Sequence, residues 1–502
     1  MQRTRVIKHL NSFFGSHHFL AALILVTAYL VLCLLLFPFD SPLGKVAATD
    51  NGIYMVIGRG WVHGALPYRD LFDQKGPFTF IVNALGFLIS DSRLGPFLVC
   101  SMIVFASLAL EWHFLHEKNP QTAVVTCILS AFGIWLFGFC LNIPEVHVLP
   151  FTVYPVFAVY RWLADQDGDV QVKLKSFNVF LIGICFGMAL MTKATNGLVI
   201  LGVCLFLAIV YCKKRWFPEL WKSIGLFLLG TGVVFGIFSA YFALHGAFDD
   251  FIYGTFLFNF LYTSKRMDGF GIFGANAQYA IPFLLALGYL IFFWRKEGKK
   301  NYISFFVCST LAAVIGQSLG NVVAHYVTCN VPLYALLSAL AIEQWRKNGR
   351  SKKPAAAAAM LFLVCFGYDF ALDGWRVLTY AKWGECIAQA SEQSKEFIYE
   401  NNLEDSVLAY NTEADIYLIA EIVPAWKHFT LQDFHAIFEP AIVQQFKEVL
   451  QQRTIKCLIL PSNHLSDPQA DALLEENYQL EHVSTGENYR GDLRTQYIFV
   501  LK

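Results

Sequence analysis

Apolar residues in this chain run in long unbroken blocks instead of alternating or recurring on one helix face. The blocks 19–37, 95–115, 121–141, 146–163, 195–212, 219–244, 277–294, 302–320, 326–342 and 355–371 each approach the roughly 20 residues that an α-helix needs to cross a hydrocarbon core. Block 177–192 is shorter, but it is apolar and bounded by charge, which brings the predicted spans to about eleven. The stretch 77–90 (PFTFIVNALGFLIS) is too short and has polar flanks, so the pattern predicts an interfacial or half-inserted helix there. The pattern changes beyond residue 371. Short β-like runs SVLAY (406–410), KCLILP (456–461) and QYIFVLK (496–502) alternate with polar helical stretches such as 436–452, predicting a small α/β domain over 372–502. The fold class is therefore an all-α polytopic membrane domain, 1–371, followed by a soluble α/β domain.

Composition agrees. Hydrophobic residues make up 56% of the chain and charged residues 15%, against about a quarter charged in a soluble domain. Net charge is zero, so no basic field argues for nucleic acid. Most cysteines sit in or beside apolar blocks. Only Cys386 and Cys457 fall in the soluble tail, where a disulfide between them is possible. The N-terminus carries Arg3, Arg5 and Lys8 before the first apolar block, which is longer than the apolar core of a cleaved signal; it is expected to remain as a first span.

Charge then orients the chain. With 77–90 not crossing, the segments on one side (1–18, 116–120, 161–176, 213–222, 295–301 and 343–354) hold 20 Lys and Arg, whereas the longer segments on the other side (38–94, 142–145, 193–194, 245–276 and 321–325) hold 8. The positive-inside rule places the first set, and the N-terminus, in the cytoplasm of an inner (plasma) membrane. The C-terminal domain is then extracytoplasmic.

Candidate chemistry follows from that geography. The first outer loop, 38–94, predicts a helix over 51–63 with Ile53, Val56, Ile57 and Trp61 on its apolar side, ended by Gly64 and Pro67. Asp70, Asp73 and Lys75 crowd before the half-inserted stretch. Taken singly, Asp50 reads as a helix N-cap, Lys75 as a snorkelling cation, and Asp70 and Asp73 as a solvated turn. Yet Glu145, Lys193, His325 and Tyr326 are predicted on the same membrane face, where ionisable groups are costly and functional by default. Together they suggest a site with carboxylates Asp50 and Glu145 and cations Lys75, Lys193, Arg69 and His325. Displacement of a lipid phosphate from a sugar needs such a mixture. A carboxylate takes the acceptor's proton, and cations hold the charge that develops on phosphate. The aromatic stretch 251–262, with Asn259 and Tyr262, reads either as an interfacial aromatic belt or as a flank for a polyprenyl chain.

The string TDNGIYMVIGRGWVHGALPYRDLFDQKGPFTF resembles the first outer loop of GT-C fold glycosyltransferases, in the branch of protein O-mannosyltransferases and aminoarabinose transferases. The resemblance rests on Asp50, Tyr54, Gly64, Pro67, Tyr68, Asp70, Asp73, Lys75, Gly76 and Pro77, and more loosely on Glu145, Lys193, Asn259 and the His325–Tyr326 pair. It implies a polyprenyl-phosphate-linked sugar donor, inversion at the sugar carbon, and a glycan, lipid or protein acceptor outside the cytoplasm. By position, Asp50 matches the acceptor-activating carboxylate, Lys75 a cation near the donor phosphate, Glu145 the acid of the second outer loop, and His325 with Tyr326 a phosphate-contacting region. The family often carries Asp-Glu where this chain has Asp50-Asn51, and Asp where it has Glu145. No metal is expected in this branch. Two other readings stand beside it: a transporter or lipid flippase, which should show charged midspan residues and a repeat symmetry that this sequence lacks, and a non-catalytic partner in envelope polysaccharide assembly.

Overall fold

The computed structural model describes residues 17–47, 49–266, 278–319, 323–349, 352–379, 382, 384–488 and 491–502. Each predicted span is helical: His17–Leu36, Leu94–Leu115, Pro120–Gly133 with a π turn Ile134–Gly138, Leu149–Ala164, Ser176–Leu190, Leu198–Lys213, Phe217–Leu244, Ile281–Lys296, Lys300–Ser318, Val331–Lys347 and Lys352–Thr379. Six helices among the described residues are long and apolar enough to cross a membrane alone. Proline sits in the first turn of the helices starting at Pro77, Pro120, Leu149, Phe217, Ile281 and Val331, where its fixed φ and missing N–H cost nothing. The Phe217–Leu244 helix turns Leu228 and Ile237 outward, each more than half exposed, as a lipid-facing helix does.

Two features differ from the sequence reading. The last apolar helix continues past residue 371 to Thr379, through Gly374 and with no proline, and Arg376 pairs with Asp373 one turn away at 2.8 Å. The soluble domain contains a fourth strand. Its sheet runs β1 (Val407–Ala409), β2 (Cys457–Leu460), β4 (Leu493–Leu501), β3 (Tyr478–Glu487), with β1–β2 parallel and the remaining pairs antiparallel. β3 escapes the sequence pattern because it is an edge strand with a mostly exposed, charged face and a bulge between Leu480 and His482. Cys386 and Cys457 are both free thiols, so the disulfide is not formed.

The soluble domain shares a core with the first outer loop. Ile53, Tyr54, Ile57, Leu66 and Tyr68 belong to one buried cluster with Val407, Ile416, Tyr417 and Cys457. Polar ties reinforce it. Asp415 accepts from the Ala47 amide at 2.7 Å, the Phe72 amide donates to Lys427 O at 2.9 Å, Lys427 Nζ meets Asp250 at 2.9 Å, and Tyr253 donates to Glu439 at 2.6 Å. The loop 38–94, the aromatic stretch and the C-terminal domain thus gather at one end of the bundle.

Candidate functional site

The helix Thr49–Val62 is almost wholly buried beyond its first turn. It begins one residue before Asp50, so Asp50 lies inside the first turn instead of capping it. The carboxylate is exposed and makes no hydrogen bond or ion pair among the described residues, while the positive end of the helix favours its charge. Asn51 donates to the buried Asp40 at 2.6 Å. Asp40 also accepts the amides of Leu141 and Asn142. A Glu at position 51 would set two carboxylates face to face.

One turn on, Tyr54 is 1% exposed and its hydroxyl has no hydrogen-bond partner among the described residues. Burial pushes its pKa up, and Asp50, Asp73 and Glu145 push the same way, so it stays a neutral phenol pointed among acids.

The loop that follows is set by Tyr68, whose backbone is left-handed at φ 69°. Its hydroxyl donates to Lys75 O at 2.7 Å and accepts from Thr255 at 3.1 Å. Its ring packs on Phe80, Phe242 and Phe251. Asp73, 3% exposed, accepts the Lys75 amide at 2.9 Å; burial raises its pKa against the pull of Lys75. Gly76 then docks on the turn that precedes Lys193. Its amide donates to Thr192 O, and the Phe78 amide donates to Met191 O, both at 2.9 Å. A Cβ at Gly76 would lie 2.2 Å from Met191 O, an approach only glycine permits. This clasp brings two cations together that are far apart in sequence.

Lys193 Nζ bonds Glu145 at 2.7 Å and lies 3.1 Å from the centroid of the Tyr326 ring, a cation–π contact. Glu145 sits in the one-turn helix Pro144–His147 and is 1% exposed, with its second oxygen unpartnered. Burial pushes that carboxyl up, but the Lys193 ammonium outweighs it, with His325 adding, and the net pKa is lowered. Burial lowers Lys193 while Glu145 raises it, and the pair remains ionised. Burial likewise acts against Lys75, but Asp73 and Asp50 hold its pKa above the ordinary value.

Lys75, Lys193, Asn259, Tyr262 and Tyr326 line one cavity of about 140 Å³ with Gln74, Thr192, Thr195 and Thr255. Asn259 donates to Gln74 O at 2.5 Å, fixing the loop beside Lys75. His325 stacks edge-on against Tyr326 at 5.0 Å. Tyr262 packs on Phe438 of the soluble domain at 4.9 Å. His435 of that domain, wedged between Phe72 and Phe258, has its pKa lowered to about 4 by burial and then by Lys75.

Of the residues singled out from sequence, the structure gathers Asp50, Tyr54, Asp73, Lys75, Glu145, Lys193, Asn259, Tyr262, His325 and Tyr326. It does not bring in Arg69 or Asp70. Arg69 is exposed and occupied by Asp70 through two bonds and by His245 O, while Asp70 accepts the Leu66 amide at 2.8 Å. That pair closes a surface turn, because the two side chains leave the buried loop on its solvent side. Tyr68 is a scaffold residue for Lys75. The aromatic stretch divides: Phe251 and Phe258 are buried, Phe260 is 73% exposed. Missed from sequence were Gln74, Thr192, Thr195 and Thr255, whose only signal was adjacency to the lysines and to Asn259, and His435, which carried none. Among the described residues, one group of three side chains stands close enough to share a metal ion, His464, Asp471 and Glu475, on the soluble domain and not at the cavity.

No family model and no curated protein matches the sequence. Solved structures do. ArnT from Cupriavidus metallidurans bound to undecaprenyl phosphate superposes with a TM-score of 0.60 at 13% identity, over 94% of this chain and 97% of its own. Its apo state gives 0.61 at 13%, over 95% and 98%. The apo oligosaccharyltransferase of Archaeoglobus fulgidus gives 0.50 at 12%, over 96% of this chain and 75% of its own. The chain has the GT-C fold along nearly its whole length.

Proposed function

We propose that this protein is an integral membrane glycosyltransferase that moves a sugar from a polyprenyl-phosphate carrier to an acceptor outside the cytoplasm, with inversion. The observation that carries the reading is the cavity in which Lys75 and Lys193 meet beside Tyr326, with the unpartnered Asp50 carboxylate near enough to act on Lys75. The acceptor hydroxyl or amine attacks the sugar's anomeric carbon and gives its proton to Asp50. The bond from that carbon to the phosphate oxygen breaks, and its electron pair stays with the phosphate. Lys75, with Lys193, holds the charge that develops there. Tyr54 offers a neutral hydroxyl to the sugar or acceptor, and His325 and Tyr326 contact the phosphate. Glu145 keeps Lys193 charged and aimed. Two ammonium groups supply the positive charge that a divalent ion would bring, so transfer is expected to survive a chelator. The cytoplasmic N-terminus and outer C-terminal domain belong to the same reading and rest on the positive-inside count.

The test is transfer from a radiolabelled polyprenyl-phosphate sugar by the purified protein in detergent, without any gradient. Asp50→Asn should abolish transfer while leaving expression and thermal stability unchanged. Full activity in that variant removes Asp50 as the base. A protein that consumes no donor of this class, yet folds, overturns the enzyme reading. The transporter alternative gains nothing from the fold likeness.

A further inference from the structure

A groove runs along the bundle between the Pro120–Gly133 and Val331–Lys347 helices, from Val331, just after the turn that carries Tyr326, to Ile342. Its deeper part, about 350 Å³, is walled almost wholly by apolar side chains, among them Phe132, Phe137, Phe283, Phe362 and Phe366. Ile342 lines this part and also a polar cavity of about 380 Å³ at the C-terminal end of the same helix, with Asn119, Gln121, Thr122, Arg346 and Lys347. The two cavities adjoin at Ile342, the first apolar along its length and the second carrying Arg346 and Lys347.

Glu343, the one acid lining the second cavity, is satisfied within the protein. Lys347 lies at 2.7 Å, and Thr122 and Asn119 donate at 2.8 and 3.1 Å. Arg346 is exposed and makes no bond among the described residues, so a cation faces outward with nothing to neutralise it. From Val331 to Arg346 the helix rises about 22 Å, more than the roughly 15 Å of one leaflet's hydrocarbon. From Tyr326 to Arg346 it is about 30 Å, the full hydrocarbon thickness. A headgroup at Arg346 therefore belongs to the leaflet opposite the charged cavity. On its outer side the groove is closed by the Lys352–Thr379 helix, which turns Phe362 and Phe366 inward but leaves Leu363 and Val364 67% and 78% exposed. That helix packs on the bundle through a thin seam.

We propose that these adjoining cavities are a binding site for one anionic phospholipid of the leaflet opposite the catalytic cavity. An acyl chain fills the aromatic-lined depth, and the phosphate rests on Arg346 beside Gln121 and Lys347. The lipid completes the packing of the last membrane helix.

The full-length protein, purified in mild detergent, is exposed to phosphatidylglycerol or to phosphatidylcholine and weighed by native mass spectrometry. One phosphatidylglycerol should be retained under conditions that strip phosphatidylcholine. Ser338→Phe fills the groove without changing charge and should abolish retention. Arg346→Gln should weaken it about tenfold, the loss of one charge-assisted contact. If Ser338→Phe does not elute as a single species, Ala358→Phe on the facing helix blocks the same space and is read instead. Equal retention of both lipids, retention undiminished by groove filling, or replacement of the phospholipid by undecaprenyl phosphate would each overturn the proposal.

Discussion

Two buried acids at the end of the bundle where the C-terminal domain packs have opposite fates. Glu145 is 1% exposed and meets an ammonium at 2.7 Å. Asp415 is 3% exposed and meets a backbone amide, Ala47, at 2.7 Å. Burial penalises both charges. Lys193 offsets that penalty for Glu145, whose pKa falls, whereas burial pushes Asp415 up to about 6 despite the Ala47 amide and Arg93. At Glu145 an ammonium at hydrogen-bond distance, with His325, outweighs burial; at Asp415 one backbone amide does not. Glu145 thus pairs with a lysine that lines the cavity, and Asp415 belongs to the seam that holds two domains together. Asp40, bonded to the amides of Leu141 and Asn142 and likewise pushed up to about 6, shows the same balance within the helical domain.

The comparison breaks most sharply at Lys193. Lys193→Met leaves Glu145 charged, buried and alone, and should cost about 3–5 kcal/mol of stability together with transfer activity. Adding Glu145→Gln should recover most of the stability and none of the activity. A double variant no more stable than the single one, by thermal unfolding, denies the coupling.

The next effect lies at the seam and depends on pH. A folded pKa of about 6 against about 3.9 unfolded favours the protonated form. The stability from protonated Asp415 is therefore complete below about pH 4 and is lost as pH rises through about 6. Asp415→Asn should be stabilising by up to about 3 kcal/mol at pH 8 and neutral near pH 4. Unfolding midpoints that keep the same pH slope in the variant contradict this.

Gly76→Ala should cost about 1–3 kcal/mol by overpacking against Met191. It should lower transfer further than stability alone explains, because Lys75 and Lys193 lose their common clasp. An active, merely less stable protein would show that the two lysines need not meet. The smallest effect is expected from Tyr68→Phe, which removes the bond to Lys75 O at about 0.5–1.5 kcal/mol. Its measure is a modest rise in the donor's apparent KM.

Much of the site was legible because the first outer loop packs its chemistry into one continuous string, and because apolar blocks count spans directly. The fourth strand was not, since an exposed edge strand carries too little apolar alternation to announce itself. Arg69 shows a different failure. Its charge and its place beside Asp70 and Lys75 suggested a phosphate contact, but Asp70 is one residue away and captures the guanidinium first.

By itself, the sequence determined the membrane helices, the end of the bundle to which the outer segments belong, and the residue types available there. Those follow from hydropathy and from the cost of moving charge across lipid, both of which act locally along the chain. Only the tertiary structure decided which charges meet. The clasp of Gly76 on Met191, the Glu145–Lys193–Tyr326 stack and the shared core with the C-terminal domain join segments separated by tens to hundreds of residues. Contacts of that kind arise from packing geometry, which no local pattern encodes.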